Sequence, residues 1–169
     1  MRLFWHKIGA MTATYQVEKR ALKVEITLCT GDKHPCELFV AMRNGVWSPE
    51  EVAAELESRA FLPIHDLATG EWAAVRRDAI HSIVLPAQDG APSDADQLYE
   101  ARHEVRVELR GGGALTGALL YSAPPSSTRV LDHVNNESRL LKLWRGDSLI
   151  LVNKLEIVRV VDLDGTASV

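Results

Sequence analysis

Polar and apolar residues alternate strictly over Lys23-Val24-Glu25-Ile26-Thr27-Leu28, with Val24, Ile26 and Leu28 on one side. A period of two is the mark of a half-buried strand. Thr30-Gly31-Asp32-Lys33 carries turn chemistry, and a return strand follows with Leu38, Val40 and Met42 on one face. The stretch predicts a β-hairpin. The same pattern comes back later in the chain. Val105, Val107 and Leu109 alternate with Glu104, Arg106 and Glu108, Gly111-Gly112-Gly113 makes the turn, and Leu115, Leu119 and Tyr121 lie on the return strand. Counting from the turn puts Cys36 in the place of Gly117, where a strand glycine marks a bulge or a close backbone approach.

Each hairpin precedes a short helical pattern. Ser48-Pro49-Glu50-Glu51 is a helix start: serine at the cap, proline at the first position, glutamate three residues after the cap. Val52, Leu56 and Ala60 then share a face. Ser127 or Thr128 caps the second helix, on which Val130, Leu131 and Val134 cluster before Asn135-Asn136 ends it. Apolar runs at 61–64, 72–75 and 80–85 predict three more strands, as do those at 140–144, 149–152 and 157–161.

These matches fall in the same order, and Glu57-Ser58-Arg59 recurs as Glu137-Ser138-Arg139. They predict two copies of one unit: a first repeat over 21–86 and a second over 102–163. An N-terminal extension (1–20), a Pro/Gly/Asp-rich linker (87–101) and a tail (164–169) complete the chain. The expected fold is mainly β, two tandem five-stranded barrel-like units, each with a short helix between strands 2 and 3. Units this small bury only about 60% of the surface their unfolded chains expose, so the copies should pack against each other.

The hairpin from Val105-Arg106-Val107-Glu108-Leu109 to Gly117-Ala118-Leu119, with Leu149-Ile150-Leu151-Val152 and Ile157-Val158, resembles the Sm-like, SH3-type small barrel. Sm-like proteins read RNA through Asp-x-x-x-Asn before the third strand and Arg-Gly between the fourth and fifth. Asp132 and Asn136 have the first spacing, but Glu137-Ser138-Arg139 intervenes before the strand. The Arg-Gly place reads Asn153-Lys154 in one copy and Arg76-Arg77 in the other. The resemblance implies a barrel topology. Arg129-Val130-x-Asp132-x-x-Asn135 before a Leu-rich strand also resembles small bacterial β domains of uncharacterised function, which implies no activity.

Composition narrows the function classes. A net charge of −4 gives no global pull on nucleic acid. The charge is uneven: residues 21–86 hold 6 Lys/Arg against 10 Asp/Glu, and residues 102–163 hold 9 against 7. The acidic first unit and basic second unit suit each other, within one chain or between chains. No apolar run approaches the ~20 residues of a membrane helix, and the cytoplasm is the expected location. No phosphate loop or nucleophile elbow occurs, so no catalytic residue and no cofactor is assigned. Arg129, Asp132, Asn135 and Asn136 form the candidate ligand or partner site; the same residues could instead cap the helix and pair at i, i+3. Cys29, His34 and Cys36 surround the first turn and are weak metal-ligand candidates, with no second Cys pair to complete a zinc site. Trp72 and Trp144 read as core residues, with exposed stacking surfaces the other reading. The expected role is a non-catalytic binding or scaffolding module with a protein partner or a second copy. The alternative is an RNA-binding protein using the second repeat.

Overall fold

The computed structural model describes residues 19–41, 48–86, 101–122 and 130–164. In chain order the elements are β1 (Lys19–Leu28), β2 (Lys33–Ala41), α1 (Pro49–Ser58), β3 (Phe61–Asp66), β4 (Trp72–Arg76), a 3-10 turn (Arg77–Ala79) and β5 (Ile80–Leu85). Then come β6 (Ala101–Leu109), β7 (Gly113–Tyr121), α2 (Val130–Val134), β8 (Leu140–Arg145), β9 (Ser148–Asn153), a 3-10 turn (Lys154–Glu156) and β10 (Ile157–Asp162). The first strand of each half therefore starts inside the stretches expected to be extension and linker. Met42, Trp5, Trp47, Ser127, Thr128 and Arg129 lie outside the described residues.

All ten strands belong to one antiparallel sheet, ordered β10-β6-β7-β8-β9-β5-β1-β2-β3-β4. The expectation of two closed barrels is not met, because the sheet is open and ends at β10 and β4. To close the first half, β5 would have to turn towards β4. It is instead taken up by β9, through Ser82–Val152, Ile83–Leu151, Val84–Ile150 and Leu85–Leu149. Each half runs fifth, first, second, third, fourth strand. The pairings also correspond. Val24 faces Cys36 as Val105 faces Gly117. Ile26 faces Ile83 as Val107 faces Val160, and both ladders slip at the same place, before Leu28–Ile80 and Leu109–Ile157.

Alternation decides burial. Val24, Ile26, Leu38 and Leu62 enter one core, with Val52, Ala53 and Leu56 of α1 laid over it. Val105, Val107, Leu119, Leu141 and Leu143 enter a second. The central strand β9 serves both: Leu149 and Leu151 pack into the first core, Ile150 and Val152 into the second. A strand with neighbours on both faces reads as an unbroken apolar run, as here. Each such side chain contributes roughly 1.5–3 kcal/mol when fully buried.

Local chemistry sets the ends of the elements. Ser48 Oγ accepts from the Glu51 amide (3.1 Å), and the Glu51 carboxylate accepts from the Ser48 amide (3.3 Å), closing the capping box that starts α1. The helix ends at Ser58, so Ala60 is exposed and does not extend its apolar face. Gly111 and Gly112 hold positive φ in the β6–β7 turn, where side chains are strained. Gly117 meets the other glycine requirement: a Cβ there would collide with the carbonyl oxygen of Trp144.

Candidate functional site

Arginine-77 and Lys154, each first in its 3-10 turn, play matching parts. The Arg77 amide donates to the Ala60 carbonyl (2.9 Å) and its guanidinium to the Glu57 carbonyl (2.7 Å). The Lys154 amide donates to the Arg139 carbonyl (2.9 Å) and its ammonium to the Asn136 carbonyl (3.0 Å). Both basic residues thus tie the approach to the third strand. The Glu-Ser-Arg recurrence does not follow this correspondence: Glu57 and Ser58 end α1, whereas Ser138 and Arg139 lie in the loop before β8. The two segments meet instead. Glu57 Oε1 accepts from Ser138 Oγ (2.8 Å), the Arg139 amide (2.8 Å) and the Leu140 amide (3.2 Å).

The polar cluster expected around α2 divides. Asn136 is a structural tie: its side-chain oxygen accepts from the Ser138 amide (3.1 Å) and from Lys154 Nζ (2.7 Å). Asp132 is exposed on the first turn of α2. Asn135 lines a groove between α2 and β10, with Val130, Leu131, Val134, Ile157 and Val158 among its walls and a volume of about 500 Å³. Leu131 is 65% exposed and Val158 68%, so Leu131 turns away from the core that Val130 and Val134 join. Exposed apolar side chains gathered in a groove mark an interaction surface more than scattered ones do.

Behind α2 lies a second cleft, of about 420 Å³, bounded by α1 through Ala53, Ala54 and Glu57 and by Tyr121, His133, Lys142 and Trp144 of the other half. His133 stacks on Tyr121, with ring centroids 4.5 Å apart. Burial and the Lys154 and Lys142 charges hold the His133 imidazole below its ordinary pKa, favouring the neutral ring. Burial also lowers Lys154. Burial, with the charges of Asp162 and Asp132, pushes the Tyr121 phenol up.

Cys29, His34 and Cys36 are not among the groups that the described residues bring within reach of a shared cation. Cys29 is exposed in the turn while Cys36 faces Val24 from within the first core, so the two do not face each other across the hairpin. The loop spans residues 29–32, with the Leu28 amide donating to the Asp32 carbonyl, which leaves Cys29 without a partner position on β2. Burial and then the Asp66 charge push the Cys36 thiol up to about 11, far from a reactive thiolate. His34 lies 2.9 Å from Asp66 through Nδ1. Among the described residues the three groups placed to share a cation are His103, Asp162 and Asp164. Two of these are exposed, and Asp164 already accepts from the Glu104 amide (2.7 Å).

Trp72 is not a core residue. It is 67% exposed on β4, stacked on His65 (4.9 Å) and Phe39 (5.3 Å). Directly opposite strand neighbours build this row: Glu37 faces His65, and His65 faces Trp72. The side chains on this face show no strict alternation across strands in the sequence, so only the pairing register reveals them. Trp144, by contrast, packs half-buried against the first core, as expected.

No protein-family model, curated protein or solved structure matches this chain. Among the described residues no helix is long and apolar enough to cross a membrane.

Proposed function

We propose that this chain is a non-catalytic binding or scaffolding module, built from two copies of one small-barrel-like unit and working through its open sheet edges. The observation that carries this reading is the groove beside β10, where Leu131 and Val158 stay exposed next to an edge strand of the sheet. An unpaired edge offers backbone donors and acceptors to an added strand, and flanking apolar side chains select what is added. The repeated pairing scheme supports descent of both halves from one unit, and the fifth-first-second-third-fourth order supports the small-barrel kinship.

A photo-crosslinking amino acid at position 158, and at 131, tests the reading in intact cells. It should give a discrete, saturable adduct, and the same group at the exposed turn position Arg110 should not. Equal labelling from both places, or none, would sink the proposal.

A further inference from the structure

We infer that β4 of one chain pairs with β10 of a second copy, head to tail, in the register already used between β9 and β5. This deepens the binding role just proposed and rests on it. The warrant is that the same joint occurs once inside the molecule and is left half-made at each end. The β9–β5 junction joins the fourth strand of the second half to the fifth strand of the first. At the two ends of the sheet stand a fourth strand, β4, and a fifth strand, β10, each paired on one side only among the described residues. They are complementary to each other.

The correspondence of the halves carries the register across. The β3–β4 pair Phe61–Arg76 matches the β8–β9 pair Leu140–Asn153, so Val75 stands where Val152 does and Trp72 where Leu149 does. The β1–β5 pair Thr27–Ser82 matches the β6–β10 pair Glu108–Arg159, so Arg159 stands where Ser82 does. Transferring the junction then places Arg159 opposite Val75 of the second copy, Val160 opposite Ala74, Val161 opposite Ala73, and Asp162 opposite Trp72.

Exposure points to the same joint. Leu149 and His81 at the internal junction are 1% and 7% exposed, while Trp72 and Val158 in the corresponding places are 67% and 68% exposed. The internal joint also has a pair of polar side chains that the outer one lacks. His81 Nε2 lies 3.2 Å from Glu156, both nearly buried. The corresponding places hold Val158 and, on the second copy, Ala79. At that one place the outer joint is apolar and the inner one polar, which keeps the two from exchanging partners. The acidic half that bears β4 and the more basic half that bears β10 meet with opposite net charge. A head-to-tail contact of this kind either closes into a ring or grows as a filament.

The experiment is disulfide trapping between two chains in a Cys29→Ser background, since Cys29 is exposed. Ala74→Cys is mixed with Val160→Cys, and Ala73→Cys with Val161→Cys, under a glutathione redox buffer. Neighbouring antiparallel pairs alternate in spacing, so one of the two mixtures has the closer geometry. That mixture should give a covalent dimer in about tenfold excess over the off-register pair Trp72→Cys with Val160→Cys, because a disulfide tolerates little separation of its Cβ atoms. Circular dichroism checks that each variant is folded. Unmixed Val160→Cys chains that dimerise with each other would mean edge-to-like-edge pairing and overturn the inference. So would the absence of any interchain adduct with the chain monomeric by light scattering. If position 158 still captures a different protein, the binding role stands and self-pairing alone fails.

Discussion

Aspartate-66 shows how one carboxylate serves both a turn and a sheet. Its Oδ1 accepts from the Ala68 (2.8 Å) and Thr69 (3.1 Å) amides, fixing the turn between β3 and β4, and its Oδ2 lies 2.9 Å from His34 Nδ1 on β2. The His34 hydrogen bond, then the Thr69 and Ala68 amides, hold the carboxyl below its ordinary value of 3.8. A depressed carboxylate contributes stability that is fully present above the unfolded-state pKa and is lost as pH falls through the folded one. Melting temperature should therefore fall on acidification below about pH 4, close to the ordinary aspartate pKa. Asp66→Asn should flatten that acid limb while lowering the melting temperature near neutrality. Thermal scans between pH 2 and 7 decide it; parallel curves for the two proteins would remove Asp66 from the acid transition.

At the scale of elements, the approach of β7 to β8 depends on a missing side chain. Ala118–Trp144 is the paired contact between these strands, and Gly117 sits beside it with the Trp144 carbonyl where a Cβ would be. Gly117→Ala must push the strands apart, which in a packed core costs about 1–3 kcal/mol. Cys36→Ala, in the corresponding place of the first half, removes one sulfur without a clash and should cost less. Urea unfolding of both variants gives the comparison, and an equal loss would show that the close approach is not the cause. This glycine was legible in the sequence from the hairpin spacing, as were the faces Val24, Ile26, Leu28 and Val105, Val107, Leu109, because period two reports one-sided burial directly. The capping box was legible too, since Ser48 and Glu51 act on the backbone within one turn. The joining of the halves into one sheet was not. Leu149-Ile150-Leu151-Val152 is a run without alternation, and it fits a strand inside one barrel as well as a strand shared by two cores. The cross-strand pairs His34–Asp66 and His65–Glu37 were hidden for a related reason. Each joins residues far apart in sequence, so only the register brings them together.

For the whole molecule, the decisive fact is that neither half completes its own core. The first cluster takes Leu140, Leu149 and Leu151 from the second half, and the second takes Val84 from the first. Polar contacts cross the same boundary. The Asn153 side-chain amide donates to the Ile80 carbonyl (3.0 Å), and Glu57 holds the start of β8. Cutting the chain in the linker would strip Ile83 and Leu85 of their β9 partners and leave β5 as a bare apolar edge, the kind that aggregates. Intact protein should then unfold in a single transition, with calorimetric and van't Hoff enthalpies equal, as small cooperative domains do. Residues 1–96 and 97–169 expressed separately should be insoluble or poorly folded, yet should recover native circular dichroism when refolded together. Two resolved transitions in the intact chain, or a first half that melts cooperatively alone, would show that the β9–β5 joint is a contact between finished domains. A single transition would show that this joint belongs to the core, so a matching joint between chains would add to stability and make the melting temperature rise with protein concentration.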